Sequence, residues 1–130
     1  MRVLVVEDEF LSRKVLKSFL APFFDVDVVV NGVEAVEAFR LALADHHPYE
    51  LVLMDIMMPE MNGIEALKAI RGIEQERGLQ PAHCLMITAL SDPKTVITSF
   101  HEGGASGYLV KPVDKRKLYS ELEKLELISR

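Results

Sequence analysis

Four short apolar runs in this chain each close on a residue able to do ionic or nucleophilic chemistry. Val3 to Val6 ends in Glu7-Asp8, and Leu51 to Met54 ends in Asp55. Cys84 to Ile87 ends in Thr88, and Gly107 to Val110 ends in Lys111. If the four ends meet, three carboxylates face one ammonium and one hydroxyl. At about 5 Å and an effective dielectric of about 20, each carboxylate pair repels by roughly 3 kcal/mol. Three pairs approach roughly 10 kcal/mol, comparable to the whole stability of a small domain. A divalent cation resolves that conflict, and an all-oxygen site with few protein ligands suits Mg²⁺, which often works beside a phosphate. Lys111 adds a point cation and Thr88 a hydroxyl, a receptor for a tetrahedral dianion next to a carboxylate. This is equipment for a covalent aspartyl phosphate, in which a carboxylate attacks an activated phosphorus.

The elements that must bring these residues together are legible in the apolar pattern. The continuous apolar, β-branched run Val3–Val6 is the mark of a strand covered on both faces. Further strands are expected at Val26–Val30, Leu51–Met54, Cys84–Ile87 and Gly107–Val110. Helical spacing lies between them: Leu11, Val15 and Phe19 with Leu16 and Leu20; Val36, Phe39 and Leu43; Ile64, Leu67 and Ile70; Val96, Ile97 and Phe100; Leu118, Leu122 and Leu125. Ser12, Arg13, Lys14 and Lys17 take the polar side of the first helix. Pro22 and Gly78 stop helices, Ser91-Asp92-Pro93 starts one, Gly103-Gly104 closes it, and Asp114 caps the last. Five strands alternating with five helices, on short loops, predict an α/β, doubly wound, five-stranded parallel sheet between two helical layers. The strand order that fits this length is 2-1-3-4-5, the flavodoxin-like arrangement, with strands one and three central. Their carboxyl ends carry Glu7-Asp8 and Asp55, at the edge where such sheets place their chemistry.

Each residue alone has an ordinary reading. An acidic first turn suits a helix N-terminus, a lysine is usually a solvated surface group, and a strand can end on threonine for no chemical reason. Joint placement at one edge is what those readings leave unexplained.

Composition narrows the classes. The chain has 130 residues, 49% of them hydrophobic, enough for one core without disulfide or structural metal. One domain over residues 1–130 is expected. A net charge of −5 argues against a general nucleic-acid surface. The single Cys84 lies in an apolar run, which fits a small buried apolar residue and a reducing, cytoplasmic setting. The chain begins directly on a strand, so no leader is expected, and no apolar run nears the roughly 20 residues that span a bilayer. His46-His47 reads as a loop pair, and Met54, Met57, Met58, Met61 and Met86 as packing.

Together, Val5-Val6-Glu7-Asp8, Leu53-Met54-Asp55-Ile56-Met57-Met58-Pro59-Glu60-Met61-Asn62-Gly63, Thr88-Ala89 and Gly107-Tyr108-Leu109-Val110-Lys111-Pro112 resemble the receiver domain of two-component response regulators, the CheY-like fold. The resemblance runs the length of the chain, in order. It implies that Asp55 is the phosphoacceptor, fed by a sensor histidine kinase or phosphotransfer protein. It implies that Mg²⁺ is held by Asp8, Asp55 and the backbone carbonyl of Met57, with Glu7 acting through metal-bound water. Lys111 would contact the phosphoryl group, Thr88 would be the switch hydroxyl, Tyr108 the switch aromatic, and Lys111-Pro112 a cis bond. The family often has Asp where this chain has Glu7. Met57 and Leu90, two residues beyond Asp55 and Thr88, cannot orient an attacking water, so the phosphorylated form is expected not to be unusually short-lived.

The expected output surface is the last two helices and the strand between them: Asp92 to Gly103, Gly107 to Val110, and Asp114 to Leu127. Such a switch controls a downstream protein, with no direct role for nucleic acid or membrane, as a monomer or a phosphorylation-dependent homodimer. It is not an enzyme acting on outside substrates; it catalyses only its own phosphorylation and dephosphorylation. Two other classes fit less well. A HAD-type aspartyl-nucleophile phosphohydrolase places a second Asp two residues after the first, where this chain has Met57. A flavodoxin-type FMN-binding protein needs a Ser/Thr/Gly-rich phosphate loop, where this chain has Glu7-Asp8-Glu9.

Overall fold

A computed structural model describes residues 1–58, 60–88, 94, 98 and 104–129. Five parallel strands, β1 (Arg2–Val6), β2 (Asp25–Val29), β3 (Leu51–Asp55), β4 (His83–Thr88) and β5 (Gly107–Val110), form one sheet. Their order is β2-β1-β3-β4-β5, as the alternation predicts. The ladder pairs Val6 with Met54 and Asp55 with Ile87, so β1, β3 and β4 end nearly level.

Four helices are described: α1 (Phe10–Leu20), α2 (Gly32–Ala44), α3 (Gly63–Arg77) and a C-terminal helix (Lys115–Lys124). The helix expected from Asp92 to Gly103 lies outside the described residues. Successive strand residues point to opposite faces, and the core divides accordingly. Leu4, Val6, Val52, Met54, Cys84 and Met86 pack with α2 and α3. Val3, Val5, Leu51, Leu53, Leu85 and Ile87 pack with α1 and the C-terminal helix. This is the expected three-layer sandwich.

Local chemistry sets the boundaries. Asn31 accepts the Glu34 amide at 2.8 Å to cap α2, and Asn62 and Glu65 form a reciprocal capping box on α3. Gly78, in the left-handed region at φ 63°, closes α3. Asp114 accepts from Arg116 and Lys117 to cap the C-terminal helix. On α1, Leu16 and Leu20 are buried as expected, but Leu11 and Val15 are exposed. The helix meets the sheet along its 16–20 edge, so the apolar stripe there is wider than the contact it makes.

Candidate functional site

The strand ends converge. Lys111 Nζ donates to Asp55 Oδ2 at 2.9 Å and to Glu7 Oε1 and Oε2 at 3.0 and 3.2 Å. Glu7, Asp8 and Asp55 each offer a carboxylate oxygen, all within 4.8 Å of one another. Glu7 and Asp55 are buried, Asp55 to 1% exposure, while Asp8 faces solvent.

Backbone hydrogen bonds fix each wall of this pocket. The Glu7 amide donates to Val29 O at 3.1 Å, which ties the end of β1 to β2. The Ile56 amide donates to Ile87 O, and the Gly63 amide to Ile56 O, both at 2.9 Å. Those bonds fold the β3–α3 loop back over the strand ends. Gly63 is required there, because a Cβ at that position would lie 2.4 Å from Asp55 O. The Lys111 amide donates to Thr88 O at 2.7 Å, and Lys111-Pro112 is cis, as the resemblance implies. Thr88 is buried at the end of β4.

Met57 and Tyr108 both carry outward-facing side chains. Met57 is 71% exposed, and its amide donates to Asp55 Oδ1 at 3.2 Å. Tyr108 lies on β5 with its side chain 42% exposed, turned out from the core. Ala89 and Leu90 lie outside the described residues.

The electrostatics follow from burial. Glu7 is pushed up to about 7, first by burial and then by its close contact with the Asp55 carboxyl, with Lys111 pulling the other way. Burial alone would lower the Lys111 ammonium, but its bonds to Asp55 and Glu7 outweigh that and hold it above its ordinary value. Two buried carboxylates thus sit against one cation, a surplus of negative charge in a set of hard oxygen donors. That donor set fits Mg²⁺.

One participant was not visible in the sequence. Arg13, on the expected polar side of α1, turns back so that Nη1 donates to the Glu7 and Asp8 carbonyls at 3.0 and 2.9 Å. The available signal was a cation in the first turn of a helix, where the dipole disfavours it.

A model of the response regulator receiver domain matches residues 3–123. The chain belongs to that family. It is 34% identical over 125 residues to the chemotaxis protein CheY of Bacillus subtilis, covering 95% of both chains. It also matches a hybrid signal transduction histidine kinase of Dictyostelium discoideum, 33% identical over 120 residues, of which it spans only 7%. A CheX–CheY–BeF₃–Mg²⁺ complex from Borrelia burgdorferi contains a similar fold, with a TM-score of 0.85 at 27% identity over 97% of this chain and 89% of that one. So does the receiver domain of Ssk1, crystallised with the histidine phosphotransfer protein Ypd1 of Saccharomyces cerevisiae: TM-score 0.82 at 27% identity over 98% and 92%. The receiver is the signalling switch module of two-component systems, and this chain has its CheY-like architecture. Among the described residues no helix is long and apolar enough to cross a membrane.

Proposed function

We propose that residues 1–130 are a single receiver domain that accepts a phosphoryl group on Asp55. The observation that carries this is the meeting of Lys111 with both Asp55 and Glu7 at 2.9–3.0 Å at the carboxyl edge of the sheet. An Asp55 oxygen forms the new bond to phosphorus while the bond from phosphorus to the donor's leaving group breaks. Asp8, Asp55 and the Met57 carbonyl would hold Mg²⁺, with Glu7 acting through its water. Bound there, the ion supplies positive charge beside the transferring group. Lys111 then moves from the carboxylate pair to a phosphoryl oxygen, a contact strengthened because both partners are charged. Apart from this self-modification the domain turns over no outside substrate.

The added group carries close to two negative charges. Thr88 donates to it, and the outward Tyr108 ring fills the space that Thr88 leaves, which alters β5 and the flanking helices for a downstream protein. To move such a switch from 1:99 to 99:1, phosphorylation must favour the active state by about 5.5 kcal/mol. The donor is a histidine kinase or phosphotransfer protein; the crystallised pairing of Ssk1 with Ypd1 supports that class. A cytoplasmic setting follows for a target of such kinases. With Met57 lacking a group to align water, the phosphorylated form is not unusually short-lived.

The test is incubation with Mg²⁺ and acetyl phosphate, followed by intact mass measurement. Wild type should gain one phosphate and Asp55→Ala none. No gain by wild type, or equal gain by the variant, defeats the proposal.

A further inference from the structure

We propose that Arg13 is a positioning residue for the cation site: it holds the β1–α1 turn so that Glu7 and Asp8 present their carboxylates to the pocket. This rests on the reading of Glu7, Asp8 and Asp55 as a Mg²⁺ site.

Three observations point to it. First, α1 starts without the help the other described helices receive. Asn31, Asn62 and Asp114 cap α2, α3 and the C-terminal helix with side-chain oxygens, whereas Glu9 at the head of α1 makes no side-chain capping bond. The turn carrying two of the three carboxylates therefore lacks the usual restraint. Second, Arg13 supplies a different one. Its Nη1 donates to the carbonyls of both Glu7 and Asp8, at 3.0 and 2.9 Å. A single group bonded to two successive peptides fixes their relative orientation, and with it the directions in which the two side chains leave the backbone. The exposed Phe10 ring lies under the guanidinium, 5.7 Å from its centre, and steadies it from the other side. Third, the placement runs against helix electrostatics. Arg13 is the fourth residue of α1, near the positive end of the dipole, where a cation is disfavoured. A like charge near a cation site also works against binding. A benefit through geometry is what offsets both.

The geometric and the purely electrostatic roles predict opposite signs. If Arg13 acted only as a nearby positive charge, its removal would tighten Mg²⁺ binding. If it positions the ligands, removal weakens binding; loss of a group that orients metal ligands costs at least about tenfold in affinity. Arg13→Met keeps an apolar stem against Phe10 and removes the donors. Arg13→Lys keeps the charge on a side chain one bond shorter, without the planar fork.

The experiment is calorimetric titration of metal-free protein with Mg²⁺, paired with phosphorylation by acetyl phosphate across Mg²⁺ concentrations. The dissociation constant should rise about tenfold in Arg13→Met and by less in Arg13→Lys. The phosphorylation rate should fall at low Mg²⁺ and return to within about twofold of wild type at saturation. Variant affinity equal to or tighter than wild type overturns the inference, and Arg13→Lys decides alone if Arg13→Met does not fold. A wild type that binds no Mg²⁺ defeats the reading of the pocket itself, whereas wild-type binding left unchanged by both substitutions removes only the role of Arg13.

Discussion

Lys111→Met should destabilise the metal-free protein and at the same time make it bind Mg²⁺ more tightly. In the folded chain Lys111 Nζ lies 2.9 Å from Asp55 and 3.0 Å from Glu7, both buried. Breaking a fully buried pair by removing one partner costs about 3–5 kcal/mol, because the other charge is left uncompensated. Two features lower that figure. The Lys111 side chain is 26% exposed, so water screens part of the interaction. Glu7, already pushed up to about 7, takes a proton near neutral pH once the ammonium is gone, which limits its share of the loss. A net cost of about 2–3 kcal/mol remains, carried by Asp55. For a domain of this size that is a fall in Tm of about 10 °C. Circular dichroism melts in EDTA measure it. Adding Mg²⁺ should then raise Tm more in the variant than in wild type, since the ion no longer competes with Lys111 for the carboxylates. At about 100 times its Kd the gain is about 2.7 kcal/mol, enough to offset most of the deficit. A variant that melts with wild type in EDTA, or gains no more than wild type from Mg²⁺, would refute the assignment of Lys111 as the resident counter-charge.

Gly63→Ala should lose about 1–2 kcal/mol despite the higher helix propensity of alanine, because its Cβ would meet Asp55 O at 2.4 Å; a lower urea midpoint together with weaker Mg²⁺ binding checks it. Tyr49 is pushed up from 10.0 to about 12, by burial first and then by its bond to Asp27. A raised folded value means stability is fully present below pH 10 and is lost between about 10 and 12, to a ceiling of about 2–3 kcal/mol; that loss should be missing in Tyr49→Phe, as followed by denaturant melts and tyrosinate absorbance. Cys84 is fully buried, and burial pushes its thiol up to about 12. Labelling by a thiol reagent at neutral pH should therefore proceed only through unfolding, with a rate that rises as denaturant opens the chain; prompt native-state labelling would contradict its position on β4.

The sheet was legible because buried parallel strands demand unbroken apolar runs, which the chain spells out in β1, β3 and β4; the edge strands β2, interrupted by Asp27, and β5, with Tyr108 exposed, are only partly covered. The site was legible for a related reason: strand ends share one edge, so Glu7, Asp55, Thr88 and Lys111 are placed by topology before any side chain is considered. What was not legible depends on where long side chains turn. Arg13 reads as a solvated helix residue, yet it bends back along its own backbone. Glu74, which the apolar pattern of α3 does not single out, is buried, accepting the Ala82 amide at 2.6 Å and pairing with Arg71 at 2.7 Å. Its partner is a loop peptide, which leaves no mark in residue type. Leu11 and Val15 fail for the opposite reason: periodicity reports which side of a helix is apolar, not how much of that side the sheet covers.

The pocket is better understood as a held conflict than as a binding cavity. Asp55 is almost wholly covered, and a groove of about 400 Å³ lies beside it, lined by Leu11, Val15, Ile87, Lys111, Pro112 and Val113. The strand ends hold two buried acids against one lysine, and a change in local charge is felt strongly there because both acids are shielded from solvent. A phosphoryl group brings nearly two charges into that space. Lys111 directly follows β5 and Thr88 ends β4; in the proposed switch, satisfying those charges would pull on the edge of the sheet that carries the expected output surface. Asp55→Asn or Asp55→Ala removes the proposed acceptor together with one pole of the conflict. Glu7→Gln removes the other pole and leaves the acceptor in place. If the conflict is what makes the fold responsive, Glu7→Gln should melt higher than wild type without metal and still take phosphate on Asp55, but with a smaller shift of the Tyr108 ring on phosphorylation, as read by its NMR signals.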